Sequence, residues 1–307
     1  KDKEKIVEFF VISAQWINDH LEYYGMERTN NHILNNARAL IVSGSLLGDT
    51  SLVNRGLLLF LTMSEVLILP SGLLRERSFH YQLILANWIL DIHHFLNNCD
   101  LPEQIDKDKL VRIKKIADSI CKITAHLASI EGAVSNSSMI GDISPDSHPK
   151  LTKYRLLALY SAMIGDPDSD DERVYQDWVR LLKGNHFLLV NPISKVYPES
   201  FNTHGHNDLG SFVWHFDGIP ILVDRGRVDY NATEASTHQC SASSHSVMIV
   251  EGLSALSESV LSIGAWMPRP YATVRPELVC LSQGFVLVHG GFSRIGKVGT
   301  YQRQVEI

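Results

Sequence analysis

Apolar residues recur at intervals of three and four through the first part of the chain. The spacing is clear in four segments: IVEFFVISAQWI, ILNNARALIVSGSLL, LLLFLTMSEVLIL and YQLILANWILDIHHFL. It is typical of helices that bury one face, and glycine, proline or polar stretches separate these segments. The pattern predicts an α-helical domain of successive helical hairpins over residues 1–183. The segment VYQDWVRLL is predicted to be helical and to lie at the end of this domain.

From about Gly184 the pattern changes to short segments rich in β-branched and aromatic residues. They are bounded by Gly, Pro, Asn or Asp, as strands are, and they read HFLLV, GSFVWHF, IPILVD, HSVMIVEG, ATVRPELVCL and GFVLVHGGFS. The pattern predicts an antiparallel β domain over residues 184–307, and the whole chain is therefore expected to be α+β. The chain ends in the strand-like YQRQVEI, so the last sheet is expected to be incomplete.

The composition indicates an ordinary globular protein. The chain has 307 residues, 45% of them hydrophobic and 20% charged, which is enough for one large or two ordinary cores. The net charge of -6 gives no general attraction for nucleic acid, and no apolar run is long enough to cross a bilayer. The four cysteines are scattered with no CxxC pair, which predicts free thiols and argues against a thiolate zinc site.

The sequence HGHND carries the most concentrated set of candidate functional residues. His204 and His206 are two apart, so on an extended chain they point to the same face. Asp208 follows them, and Asp224 and His245 come after later strand-like segments. If His206, Asp224 and His245 converge, they supply two nitrogens and one oxygen, a ligand set that zinc accepts. His204 is then left for proton transfer.

Two polar clusters interrupt the helical part of the chain. Asn31 and His32 precede the apolar run ILNN, and Tyr81 follows a Pro-Ser-Gly turn in SGLLRERSFHYQL. A helix cap or a core tyrosine would account for each residue taken singly. Arg75 and Arg77 in the second cluster could form a local basic cleft for an anionic ligand.

Taken together and in order, these motifs resemble the heparinase II/III family of polysaccharide lyases and its relatives that act on alginate and similar uronate polymers. The resemblance runs from about Trp16 to Arg303 and rests on NNH, LLRERSFHY, the GD before SPD, HGHNDLGSFVWHFDGIPILVDRG and SASSH. It implies a bacterial enzyme with an incomplete α/α toroid, a following β-sandwich and a cleft between them for an anionic polysaccharide.

Residue by residue, the resemblance implies a divided site. Asn31 and His32 would lie beside the uronate carboxylate, with Tyr81 and His204 as the proton-transfer groups. A mainly structural zinc would be held by His206, Asp224 and His245, and the further substrate contacts would be Arg75, Glu76, Arg77 and Tyr230. The sequence departs from the family pattern where Ser246 replaces an expected Asn, and where Cys240, Ser241 and Ala242 replace an expected Arg-Ser-Thr.

The implied reaction is β-elimination, in which the C5 proton is removed and the O4 group leaves. Tyr81 is expected to have its pKa of about 10 lowered by Arg75 or Arg77, whereas histidine, with a reference pKa near 6.5, needs no such lowering. Which of the two is the base stays open. So do two rival functions: a zinc hydrolase with Asp208 or His204 as general base, and a non-catalytic glycan-binding or surface-polysaccharide assembly protein. The resemblance implies a periplasmic or secreted protein, with a cytoplasmic one as the alternative.

Overall fold

The structure is a computed structural model that divides into two compact units. The first contains Lys1–Arg75 and Ile84–Thr124, and the second contains Glu76–Leu83 and Ala125–Ile307. The described residues are 2–26, 29–99, 105–128, 139–163, 172–175, 178–191, 204–208, 210–227, 229–231, 233–249, 277–281, 284–289 and 301–306.

Helices occupy the first half of the chain, as the apolar spacing predicted. Their bounds are α1 Asp2–Asp19, α2 His32–Leu47, α3 Thr50–Leu67, α4 Phe79–Asn98, α5 Lys107–Ala128 and α6 Pro149–Met163. A short helix, α7, follows much later at Glu234–Cys240. Among the described residues no helix is both long and apolar enough to cross a membrane.

The core of the first unit lies where α2 packs on α3. Ile41 of α2 and Leu57 and Phe60 of α3 are all fully buried. The helices approach closely at Gly56, where an added Cβ would lie 2.7 Å from Ile41 Cγ1. Asp49 begins α3 by accepting hydrogen bonds from the backbone N–H groups of its first turn.

The second unit contains two antiparallel sheets. The larger sheet has the order β1-β2-β3-β4-β5, with bounds Glu172–Tyr175, Trp178–Lys183, His186–Asn191, Ser211–Phe216 and Ile219–Leu222. The smaller sheet has the order β6-β7-β8, with bounds Glu277–Leu281, Gly284–His289 and Tyr301–Glu306. A buried cluster formed by Val179, Leu181, Leu188, Val190 and Phe212 fills the core, and Val305 of β8 packs against it.

These elements confirm the predicted α+β class and correct the predicted start of the sheet. The sheet begins at Glu172 instead of near Gly184, because VYQDWVRLL forms most of β1 and β2 and is not helical. The first four residues of β2 are all buried. A strand covered on both faces loses its alternating pattern and resembles a helix segment in sequence. Residues 245–249 of the predicted strand HSVMIVEG are also not in a strand.

Candidate active site and metal centre

A buried carboxylate, Asp142, lies at the centre of the polar cluster in the second unit. It is 1% exposed, and its two oxygens contact two different histidines. Oδ2 is 3.1 Å from His204 Nδ1, and Oδ1 is 2.8 Å from His206 Nε2. Burial alone would raise the pKa of Asp142, but the two histidines outweigh burial and lower it. Asp142 therefore holds both rings of the HGH motif in defined orientations.

The backbone around Asp142 joins three segments that are distant in sequence. Gly141 has a φ of +81°, and a Cβ there would lie 2.7 Å from Arg77 O and 2.8 Å from His204 O. Only glycine permits this approach. The Asp142 N–H donates to His204 O at 2.9 Å, and Ser78 Oγ donates to Asp142 O at 2.7 Å. These contacts bring the RERSFHY and HGHND motifs together.

Tyr81 and His204, the two predicted proton-transfer residues, stack on each other. Their ring centroids are 3.7 Å apart with an angle of 10° between the planes. The Tyr81 hydroxyl is 3.0 Å from the Tyr230 hydroxyl, and Tyr230 is 37% exposed. On its other side, His204 Nε2 lies 3.4 Å from Oε2 of the fully buried Glu76. Two phenols, an imidazole and a carboxylate thus form one cluster.

The pKa of Tyr81 moves in the direction opposite to the one predicted. Burial raises it, the hydrogen bonds with Tyr230 and Ser144 oppose that rise, and the carboxylates of Asp142 and Glu76 raise it further. The expected lowering by arginines is therefore wrong, because the charges nearest to the phenol are negative. Burial raises the pKa of Tyr230 as well. Tyr81 is consequently a protonated phenol at neutral pH.

Arg77 is engaged in a buried ion pair and does not face the phenol as a free cation. Its Nη2 is 2.9 Å from Asp208 Oδ1, and both side chains are almost fully buried. Asp208 is thereby committed to Arg77, which speaks against its use as a general base. Arg75 belongs to the first unit, where it lines a cavity with Ile68 and Leu69.

Asn31 and His32 also belong to the first unit, at the start of α2. Asn31 is 1% exposed, and its side chain makes no capping hydrogen bond to the helix. The cap-like contact is made by Asn30, whose Oδ1 accepts from the His32 N–H at 3.1 Å. The His32 side chain is 50% exposed, and its Nδ1 is 2.8 Å from Glu22 Oε1.

The three predicted metal ligands lie together in the second unit. His206, Asp224 and His245 each offer a ligand atom, and these atoms lie within 4.8 Å of one another. His245 Nδ1 is 2.7 Å from Asp224 Oδ2. His206 Nδ1 and His245 Nε2 are buried without a hydrogen-bond partner among the described residues. Two buried ring nitrogens beside a carboxylate fit a zinc ion, and they explain why these polar atoms are buried.

Asp142 also bears on this centre through His206. Burial opposes protonation of that ring, but the bond to Asp142 outweighs burial and raises the His206 pKa to about 10. A metal needs the ring in its neutral form, with Nε2–H donating to Asp142 and Nδ1 free to ligate. One carboxylate thus orients both a candidate metal ligand and a candidate catalytic histidine.

Sequence reasoning singled out the GD dipeptide as part of a motif and assigned no role to Asp142. The signal that could have found it is the dipeptide itself, since a glycine before an acid marks a close backbone approach. Ser144, which hydrogen-bonds Tyr81, had no sequence signal of its own.

Comparison with known proteins gives a family for the C-terminal part of the chain and a fold for nearly all of it. Residues 175–307 match the family described as heparinase II/III-like, C-terminal. A crystal structure of heparinase III has a TM-score of 0.67 at 13% identity, covering 93% of this chain and 46% of that one.

Two further solved structures have a similar fold. A second heparinase III has a TM-score of 0.63 at 15% identity, covering 94% of this chain and 45% of that one. A mutant heparan sulfate lyase HepC from Pedobacter heparinus has a TM-score of 0.60 at 14% identity, covering 90% and 43%. The chain thus spans less than half the length of these structures, and no curated protein matches it at a significant level.

Proposed function

We propose that this chain, whose residues 175–307 match the heparinase II/III-like C-terminal family, acts as a polysaccharide lyase on a uronic-acid polymer. The observation that carries the proposal is the stack of Tyr81 on His204, with Asp142 holding the imidazole and Tyr230 touching the phenol. A binding protein has no need of two proton-transfer groups in contact with each other.

In the proposed reaction His204 takes the C5 proton of the uronate. The electrons of the C–H bond form the C4=C5 double bond, and the C4–O4 bond breaks. Asp142 accepts from Nδ1–H, which leaves the Nε2 lone pair for the proton, and Glu76 beside Nε2 stabilises the resulting imidazolium. Tyr81 is protonated at neutral pH because of its raised pKa, so it donates its proton to the departing O4.

The carboxylate of the substrate must also be neutralised, because removal of the neighbouring proton adds negative charge. The proposal assigns this task to Asn31 and His32, as the resemblance implies. Hydrogen bonds and positive charge at such a point stabilise the developing enolate by several kcal/mol in many enzymes. Arg75 remains a proposed substrate contact. Arg77 is buried in its ion pair with Asp208, so in this proposal it holds the HGHND loop and does not touch the polymer.

The metal centre in this proposal is structural. When bound, zinc supplies a fixed positive charge that joins three loops carrying His206, Asp224 and His245. Because His206 shares Asp142 with His204, the loop that carries the base is held in place from both sides. No proton-transfer step requires the metal.

The first experiment is incubation with a panel of uronate polymers, including heparan sulfate, hyaluronan, chondroitin and alginate. We expect ultraviolet absorbance from the new C4=C5 bond with at least one of them. Tyr81→Phe should lower kcat by about 10²–10⁴-fold, since it removes the proton donor, while polymer binding remains measurable. The matched control is Tyr154→Phe, because Tyr154 is an exposed tyrosine of α6.

Other outcomes would contradict the proposal in distinct ways. Reducing ends that appear without ultraviolet absorbance would mean hydrolysis. Binding without any product would mean a glycan-binding protein. Full activity in Tyr81→Phe would remove the phenol from the mechanism.

A further inference from the structure

A cavity of about 600 Å³ lies in the second unit, and all the residues that line it belong to that unit. Its apolar lining consists of Met139, Ile143, Pro145, Pro149, Val213 and Val223. Small-molecule sites commonly have volumes of about 300–1,000 Å³ and combine apolar walls with a few polar groups. The cavity therefore has the size and the wall of a ligand site.

Lys150 and Arg225 bring two permanent positive charges to this cavity. Both residues are exposed, and neither has an ion-pair partner among the described residues. The lining also contains the carboxylate of Asp224, but its two oxygens are already engaged: one accepts from the Gly226 N–H at 3.0 Å, and the other is 2.7 Å from His245 Nδ1. Two cations against one engaged carboxylate give the lining a net positive charge at neutral pH.

The segments that carry these cations are fixed by backbone contacts. The Ile143 N–H donates to Arg227 O at 2.7 Å. Between the two cationic arginines of this loop, Gly226 has a φ of +61°, and a Cβ there would lie 2.6 Å from Ile143 Cγ1. Arg225 is thus held beside the wall that contains Ile143, and Lys150 lies in the first turn of α6. Cations on an ordered backbone lose less conformational entropy when they bind a ligand.

Ser144 connects the cavity to the proposed proton donor. It lines the cavity, and its side chain also hydrogen-bonds Tyr81. In the proposed reaction Tyr81 protonates O4, the atom that joins the cleaved uronate to the next sugar unit. The sugar units that flank the cleaved linkage are therefore the part of the polymer that comes close to this cavity.

We propose that this cavity binds the anionic group, a sulfate or a carboxylate, of a sugar unit that flanks the cleaved linkage. Lys150 and Arg225 donate charge-assisted hydrogen bonds to the oxygens of that group, and the apolar wall contacts the C–H groups of the ring. The chain should then prefer polymers that carry charge on consecutive units to polymers in which uronates alternate with neutral sugars. The inference rests on the proposed function, and its test measures binding separately from turnover.

The test measures the affinities of three tetrasaccharides by calorimetry, in the Tyr81→Phe chain so that they are not cleaved. A sulfated heparan tetrasaccharide carries sulfate between its uronates, an alginate tetrasaccharide carries a carboxylate on every unit, and an unsulfated chondroitin tetrasaccharide alternates uronate with a neutral sugar. Adding Lys150→Gln and Arg225→Gln should weaken binding of the heparan or the alginate tetrasaccharide, or of both, by about 10-fold or more, as expected when hydrogen bonds to charged groups are lost. The affinity for unsulfated chondroitin should stay nearly unchanged.

The comparison of the two anionic tetrasaccharides identifies the group that is bound. A loss with the heparan tetrasaccharide alone indicates a sulfate, and a loss with alginate indicates a carboxylate. The matched control is Arg55→Gln with Lys114→Gln, which removes the same two charges from exposed positions of α3 and α5 in the first unit. It should leave all three affinities nearly unchanged. The substituted side chains are exposed in both pairs, so each variant should keep the circular dichroism spectrum of its parent.

Three results would overturn the proposal. The first is an unchanged affinity for both anionic tetrasaccharides, or no binding of either. The second is an equal loss with unsulfated chondroitin, because the cations would then act on any uronate. The third is an equal loss in the control pair, because net charge alone would then explain the effect. Failure of the lyase reaction is a separate result: without ultraviolet product from any polymer, a preference that depends on Lys150 and Arg225 still identifies the cavity as a glycan-binding site.

Discussion

His80 is buried behind the candidate active site, and its Nδ1 accepts a hydrogen bond from the Ser144 N–H at 3.0 Å. Burial lowers its pKa to about 4, and the charge of His148 adds to this effect. His80 is therefore neutral at pH 7 and serves as an acceptor. Since Ser144 also hydrogen-bonds Tyr81, the neutral ring supports the segment that contacts the phenol.

The lowered pKa of His80 makes folding dependent on pH. The folded pKa lies below the unfolded value of about 6.5. The contribution of neutral His80 to the free energy of unfolding is therefore fully present above pH 6.5, and it is lost progressively as the pH falls to about 4. A difference of this size corresponds to about 3 kcal/mol. His80→Asn keeps an acceptor near Ser144 but cannot titrate, so its free energy of unfolding should fall less between pH 6.5 and 4 than that of the wild type.

The measurement is urea unfolding at a series of pH values. His94→Asn, which removes an exposed histidine of α4, should keep the slope of the wild type. An unchanged slope in His80→Asn would mean that other groups carry the acid sensitivity.

At the scale of elements, Gly56 allows α2 and α3 to pack closely against each other. Gly56 is helical, so alanine there would normally stabilise the helix by about 1 kcal/mol. The added Cβ, however, would lie 2.7 Å from Ile41 Cγ1 and 2.8 Å from Ala37 O. A backbone oxygen cannot move aside as the end of a side chain can.

We therefore expect Gly56→Ala to destabilise the protein by about 1–3 kcal/mol, the usual cost of overpacking. Arg55→Ala, at the exposed neighbouring position, should change the free energy of unfolding by no more than about 0.5 kcal/mol. Thermal or urea unfolding of both variants measures the difference. Stabilisation by Gly56→Ala would show that the two helices can separate without loss.

The burial of β2 explains why the start of the larger sheet was predicted wrongly. Val179 and Leu181 lie in the hydrophobic core, and Trp178 and Arg180 on the alternate positions are buried as well. Burial on both faces removes the polar positions that would have marked a strand. The sequence pattern did identify β4, whose first three residues are also buried, and β5, whose four residues are all exposed.

At the scale of the whole molecule, the candidate metal ligands come from loops that are well separated in sequence. A cation bound only by the folded form stabilises it by mass action, by about 4 kcal/mol at a concentration 1,000 times the Kd. Chelation should therefore lower the Tm of the wild-type protein. In His206→Ala the Tm should already be lowered, and chelation should have no further effect.

His94→Ala is the matched control for that experiment and should respond to chelation as the wild type does. If a metal-free, refolded sample still cleaves polymer, the metal is structural as proposed. If chelation leaves the Tm of the wild type unchanged, the loops hold together without a cation.

The local sequence pattern determined those features of the protein that depend on residues close together in the chain. Spacings of three and four identified the helices. The i, i+2 spacing of HGH predicted a common face for His204 and His206, and both rings contact one carboxylate, each through a different oxygen. The arrangement of the helices as a toroid and of the sheets as a sandwich stays a prediction, as do the roles of Asn31 and His32.

Only the tertiary structure decided what depends on residues far apart. Tyr81 meets His204 and Tyr230, and Asp142 meets both histidines, across separations of 62 residues or more. The direction of the Tyr81 pKa shift follows from carboxylates that no periodicity could have placed nearby. The two cations that line the proposed anion-binding cavity come together for the same reason: side-chain periodicity records which face a residue occupies, whereas the fold determines what that face meets.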